Sequence, residues 1–173
     1  MQFMCFFQNQ KLNVYHFDPT SLSGETFGQK SHKIPANFNP NRLGRTFKHV
    51  TQLAFIAAGG ATGALLRYWM SNGIYALLGR GFPYGTLTVN VVGSLFMGFL
   101  YVFMIERMDV SVEWRAALMI GLLGAFTTFS TFSIETLNLL ESGEQLKAAL
   151  NVIFSVTLCL IGCWLGMIVG RSI

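Results

Sequence analysis

The sequence predicts an all-α integral membrane protein: four transmembrane helices with a break in the third, assembled as an antiparallel dual-topology homodimer. Three observations predict it. Charged residues are 12% of the 173 against 52% hydrophobic, where soluble domains carry roughly 25% charged. Apolar segments of membrane-spanning length recur four times after residue 50, each near the ~20 residues a bilayer requires. The short loops between them share their basic residues evenly between the two sides, which removes the usual bias for one orientation.

Residues 1–50 stand apart. They are polar and turn-rich, hold three of the four prolines, and set Lys11, Lys30, Lys33, Arg42, Arg45 and Lys48 against only Asp18 and Glu25. No apolar core followed by small residues marks a signal peptide, and no sustained period marks a folded domain. A disordered extension is expected, with Val50 as an alternative start for the membrane part, residues 51–173. Beyond residue 50 six basic residues meet six acidic ones, so the overall charge of +4 belongs to the extension. Nothing here suits a nucleic-acid partner.

The first span is predicted over Leu53 to Met70. Gly59 and Gly63 form a Gly-x-x-x-Gly pair that permits close helix approach, and Arg67 stands near its end, placed for snorkelling or for a vestibule. Residues 71–84 read as a connection containing Gly79, Gly81 and Pro83. The second span, Gly85 to Ile105, contains Asn90 about 8 Å of helical rise past its start. Its amide offers two donors and an acceptor at depth, for an interhelical bond or for a ligand. Ser94 and Gly98 add a small-x-x-x-small contact. Glu106 to Arg115 is the charged loop before the third span, Ala116 to Leu140. After the turn Glu141 to Lys147, the fourth span, Ala148 to Gly170, repeats glycine at 162, 166 and 170 and sets Asn151 and Ser155 one turn apart. Cys159 and Cys163 sit inside this apolar segment and read as small packing residues.

The third span carries the chemistry. From Gly121 it reads Gly-Leu-Leu-Gly-Ala-Phe-Thr-Thr-Phe-Ser-Thr-Phe-Ser-Ile-Glu, with Thr127, Thr128, Ser130, Thr131 and Ser133 inside seven positions. Gly121 and Gly124 cost entropy in a helix and the two threonines are β-branched, so this turn is intrinsically weak. A helix opened at bilayer depth needs partners for its freed carbonyls: other protein, water or a cation. Phe129 and Phe132, three apart, share a face. Small and hydroxyl residues also serve plain helix packing. It is the density of this run that points to a site.

Arg107, Arg115 and Arg171 fall on one side of the membrane and Arg67, Arg80 and Lys147 on the other. Equal counts predict insertion both ways, and oppositely inserted copies can pair about a two-fold axis in the membrane plane. Two third spans would then meet near that axis and share one cation between their open carbonyls.

Gly59-Gly60-Ala61-Thr62-Gly63-Ala64 with Arg67, Gly85-Thr86 with Asn90 and Gly93, and Gly124 through Glu135 around Thr-Thr-Phe-Ser-Thr-Phe resemble the CrcB/Fluc fluoride channel family. The likeness runs from Thr51 to the end. It implies a multi-pass protein of the plasma membrane, the bacterial inner membrane, that lets cytoplasmic fluoride leave passively and so reduces fluoride toxicity. It also implies an antiparallel homodimer with two pores and a structural sodium ion at the dimer centre. By motif position, backbone carbonyls of Gly124 and Thr127 would hold the sodium. Phe129 and Phe132 would line the pores, Asn90 would donate to fluoride, and Ser130 and Thr131 would form a polar track with Ser155 of the fourth span. Arg67 and Glu135 match charged positions expected at a vestibule. The family pattern has Tyr where Asn151 stands.

Two other classes fit a small four-span protein. A proton-coupled exporter needs a titratable carboxylate in mid-membrane, for which Glu135 is the one candidate inside a span. A membrane scaffold needs only the glycine faces. An enzyme is not expected, because no span holds a nucleophile with a paired base and His16, His32 and His49 all precede the membrane part.

Overall fold

The computed structural model describes residues 40–108 and 110–173, with side chains from His49 onward; the expectation of disorder for residues 1–39 lies outside them. Helix α1 is Pro40–Leu78, α2 is Tyr84–Arg107, α3 covers residues 112–126, α4 is Phe129–Glu141 and α5 is Gln145–Ser172. Four stretches are long and apolar enough to cross a membrane, with α3 and α4 together making the third, Val112–Glu141. Among the described residues the fold is thus all-helical, with four stretches able to span a membrane.

Two boundaries differ from the sequence reading. Helix α1 begins at Pro40, inside the stretch read as an extension; proline is well suited to a first helical turn, where its missing N–H would bond nothing anyway. It also runs eight residues past Met70, to Leu78. Ser71-Asn72-Gly73 has the composition of a turn, yet the helix continues through it and stops only at Gly79, whose φ of 78° is left-handed and whose N–H bonds the Tyr75 carbonyl at 3.0 Å. Gly143, φ 80°, ends the turn after α4 in the same way.

Packing runs backbone to backbone. A Cβ on Gly59 would strike the Ala117 carbonyl, one on Gly63 the Leu122 carbonyl, and one on Gly121 would lie 2.6 Å from the Ile56 carbonyl. Helix α1 therefore lies directly on α3. There residues Ala116–Leu123 form a π-helical stretch, with bonds from i to i+5 that widen the helix toward its neighbour. The second pair is α2 with α5: a Cβ on Gly98 would strike the Cys163 carbonyl, one on Gly166 the Leu95 carbonyl, and one on Gly170 would lie 2.9 Å from the Val102 side chain. Lipid tails provide no hydrophobic drive between helices, so close contact of small residues and its dispersion gain takes that place. Both glycine faces expected from the sequence are used, and their partners are now defined.

Between the two pairs lies a small core of Val89, Leu123 and Phe126, with Met70, Val92 and Leu122 against it. Phe55 meets Trp114 edge-on at 5.3 Å, tying α1 to the start of α3. At the far end of α5 the Arg171 guanidinium donates to both carboxylate oxygens of Glu106, at 3.3 and 3.2 Å, and Arg107 donates to the Arg171 carbonyl. Trp69, Leu160 and Trp164 point outward, each more than 60% exposed, as a lipid-facing surface requires.

Gly166→Val should lower the thermal midpoint of the detergent-purified protein, at a cost of about 1–3 kcal/mol for overpacking. Gly73→Ala, where an added Cβ meets nothing within 4 Å, should leave the stability unchanged or raise it by up to about 1 kcal/mol. Paired melting curves check both.

Candidate functional site

Between α3 and α4 the chain is extended for two residues, Thr127 (φ −79°, ψ 157°) and Thr128 (φ −152°, ψ 118°). The Thr127 N–H still bonds the Leu123 carbonyl at 3.0 Å, closing α3. The next donors are diverted. Thr128 N–H, which a continuous helix would give to the Gly124 carbonyl, goes instead to Asn90 Oδ1 at 2.8 Å. Thr131 N–H, which would go to the Thr127 carbonyl, goes to Thr128 Oγ1 at 3.2 Å. Thr128 is thus the N-cap of α4, the preferred kind of residue for that place.

Asn90 does more than accept one bond. Its Nδ2 also donates to the Thr128 carbonyl at 3.0 Å, so a single side-chain amide satisfies both polar groups of Thr128's backbone. Gly93, one turn further along α2, makes room: a Cβ there would collide with the Thr127 methyl and lie 3.1 Å from the Phe126 ring. Hydroxyls gather on the same spot. Thr128 Oγ1 is 3.3 Å from Ser130 Oγ and 3.0 Å from Thr131 Oγ1.

The residues expected at a site fall into three groups. Asn90, Ser130 and Thr131 belong to this first cluster, beside Gly124 and Thr127. Ser155 belongs to a second: its hydroxyl donates to Asn151 Oδ1 at 3.5 Å, Asn151 Nδ2 donates to Thr136 Oγ1 at 2.8 Å, and Thr136 Oγ1 donates to the Phe132 carbonyl at 2.7 Å. This chain of bonds runs from α5 into α4, and Asn151 is 1% exposed within it. Ser155 therefore meets Asn151 and not Ser130 or Thr131. Glu135 belongs to a third cluster, accepting from the Tyr75 hydroxyl at 2.7 Å.

Phe129 and Phe132 lie on one face of α4 with ring centroids 5.3 Å apart and planes inclined by 44°. Phe132 is half-buried, whereas Phe129 is 78% exposed in the single chain. Arg67 lines a cleft of about 400 Å³ with Ser71, Asn72, Thr86, Thr128 and Thr131, so it faces the first cluster. Chemically the arrangement is a neutral, donor-rich pocket at bilayer depth: hydroxyls and an amide, without a cation closer than the cleft wall.

Sequence reasoning missed Tyr75, Thr86 and Thr136 as site residues. Thr136 had a signal, since it extends the hydroxyl run by one helical turn from Phe132. Tyr75 had none, because its helix was taken to end at Met70.

The family model described as CrcB-like protein, Camphor Resistance (CrcB), matches residues 54–167. A protein of Methylococcus capsulatus named fluoride-specific ion channel FluC is 59% identical over 118 residues, which cover 68% of this chain and 52% of that protein; the chain spans about half the length of that relative. A Coxiella burnetii protein of the same name is 51% identical over 122 residues, 70% of this chain and 97% of the other. One from Geobacter sulfurreducens is 48% identical over 124 residues, 72% of this chain and all of the other. Matching most of its membrane part to the family model, and nearly the whole of relatives about half identical to it, this chain belongs to the CrcB-like protein family.

Proposed function

We propose that this protein is a fluoride-selective channel, through which cytoplasmic fluoride leaves passively, driven by the membrane potential. The observation that carries the reading is the opening at Thr127–Thr128, clasped by Asn90 and ringed by hydroxyls, in a chain related to proteins named for fluoride conduction.

Fluoride is small and holds its hydration tightly, so a dry path must replace water with hydrogen-bond donors. Hydroxyls of Thr128, Ser130 and Thr131 can turn their protons toward an anion, and Asn90 keeps a second N–H beyond the one given to Thr128. None carries a fixed positive charge that would trap the ion. The edges of Phe129 and Phe132 carry the positive part of the ring quadrupole and can face an anion that the ring faces repel. A potential of about 100 mV, negative inside, is worth roughly 2.3 kcal/mol per charge. That corresponds to an internal concentration roughly fifty-fold lower at equilibrium, at about 1.4 kcal/mol per factor of ten. No proton or nucleotide coupling is needed.

The working unit is an antiparallel homodimer of residues 51–173. An exposed Phe129 and an exposed Gly124 on the same span suit a face that a second copy covers. A sodium ion at the centre fits the donor set: the carbonyls of Gly124 and Thr127 lose their helical donors to Asn90 and to Thr128 Oγ1. Carbonyl oxygens from two copies would surround a hard cation. A sodium ion bound there would supply positive charge to the Gly124 and Thr127 carbonyl oxygens, whose helical donors are diverted.

Vesicles loaded with fluoride and containing the purified protein should release it when potassium and valinomycin set the potential. Release that requires a pH gradient would indicate a coupled exporter, and no release a scaffold. Asn90→Asp keeps the acceptor for Thr128 but sets a negative charge at the donor cluster; fluoride release should fall at least roughly tenfold, as expected for the loss of one charge-assisted bond. Exchange of sodium for N-methylglucamine should lower the melting midpoint of the dimer and sodium should restore it, by about 2.7 kcal/mol at a hundred times the dissociation constant. A melting curve indifferent to sodium rules out the central ion.

A further inference from the structure

We infer that Tyr75 is a positioning residue for anion passage, tying down Glu135 at the wall between two clefts so that its carboxylate stays out of the anion's path. The inference rests on the channel reading above. The inner cleft, about 400 Å³, contains Arg67 and reaches Thr128 and Thr131. An outer one, about 300 Å³, is lined by Tyr75, Arg80, Glu135, Asn138 and Ser142 among others, near the ends of α1 and α4. Thr86 lines the inner cleft; Tyr75 and Glu135 line the outer. Between them the Tyr75 hydroxyl donates to Glu135 Oε1 at 2.7 Å and lies 3.5 Å from Thr86 Oγ1. These three side chains form the partition.

Glu135 is the one acid lining either cleft, and no basic side chain pairs with it among the described residues. Its other oxygen, Oε2, is buried and has no hydrogen-bond partner. A single phenol therefore holds the carboxyl. Released, a negative charge at this partition would oppose the passage of an anion between the two clefts. The ring that carries the phenol is itself seated by its surroundings. A Cβ on Gly85 would lie 2.6 Å from the Tyr75 ring, so this glycine is what admits it, and the Arg80 guanidinium stands 5.4 Å from the ring centroid, within cation–π range.

The test compares fluoride release from vesicles bearing wild type, Tyr75→Phe, Glu135→Gln and the double variant, each at equal amounts of monodisperse protein. Tyr75→Phe keeps the ring and its contact with Arg80, and should release fluoride roughly tenfold more slowly, the scale of one bond to a charged group. Glu135→Gln should conduct faster than Tyr75→Phe, and the double variant should match Glu135→Gln, because the phenol then has no charge to restrain. Gly85→Ala, whose Cβ would lie 2.6 Å from both the Tyr75 ring and the Ser71 hydroxyl, should also slow release. Wild-type rates in Tyr75→Phe, a Glu135→Gln no faster than Tyr75→Phe, or an equal loss in both backgrounds overturns the inference. If wild type itself releases nothing, the channel reading fails instead.

Discussion

One side-chain amide sets the terms for this structure. A membrane-spanning helix has no water to turn to, so a backbone N–H and C=O released from helical pairing at bilayer depth must find protein partners. Asn90 provides both for Thr128, accepting from its N–H and donating to its carbonyl. The two extended residues between α3 and α4 are stable because this amide lies opposite them. Everything placed around the opening follows: the Thr128 hydroxyl free to cap α4, the hydroxyls of Ser130 and Thr131 drawn to it, and the two carbonyls left without helical donors.

Such a clasp demands that α2 and the third span approach within a side chain's reach, and the glycines arrange that. Gly93 leaves space for Thr127 and Phe126 where a methyl would collide. The surrounding pairs, α1 on α3 and α2 on α5, rest carbonyl against glycine with no side chains between. Close packing of this kind resists displacement, because any shift brings backbone atoms into overlap. The helices form a rigid frame and the polar groups line its openings. That division suits the proposed channel, in which the moving part is an ion.

Much of this was legible in the sequence, and for identifiable reasons. Span number follows from hydropathy, since a bilayer imposes length and apolarity directly. The faces bearing Gly59 and Gly63, and Gly162, Gly166 and Gly170, follow from their four-residue spacing. What escaped was pairing between distant residues. Asn90 and Thr128 are 38 residues apart, and nothing local in either announces the other. Asn151, which stands where the family pattern has Tyr, is buried with its amide on Thr136. The π-helical stretch Ala116–Leu123 has no marker in its apolar residues; it lies against the partner backbone at Gly59 and Gly63. Tyr75 was hidden because Ser71-Asn72-Gly73 favours a turn by composition, whereas α1 continues through it to Leu78.

The clasp can be observed directly. Amide hydrogen exchange of the third span, measured in lipid nanodiscs for wild type and Asn90→Ala, reports whether the Thr128 N–H is held by this side chain. The account predicts a protected Thr128 amide in wild type that exchanges at least roughly tenfold faster in Asn90→Ala, with amides of the α1–α3 contact unchanged. A Thr128 amide that exchanges freely in wild type, or is equally protected without Asn90, contradicts it.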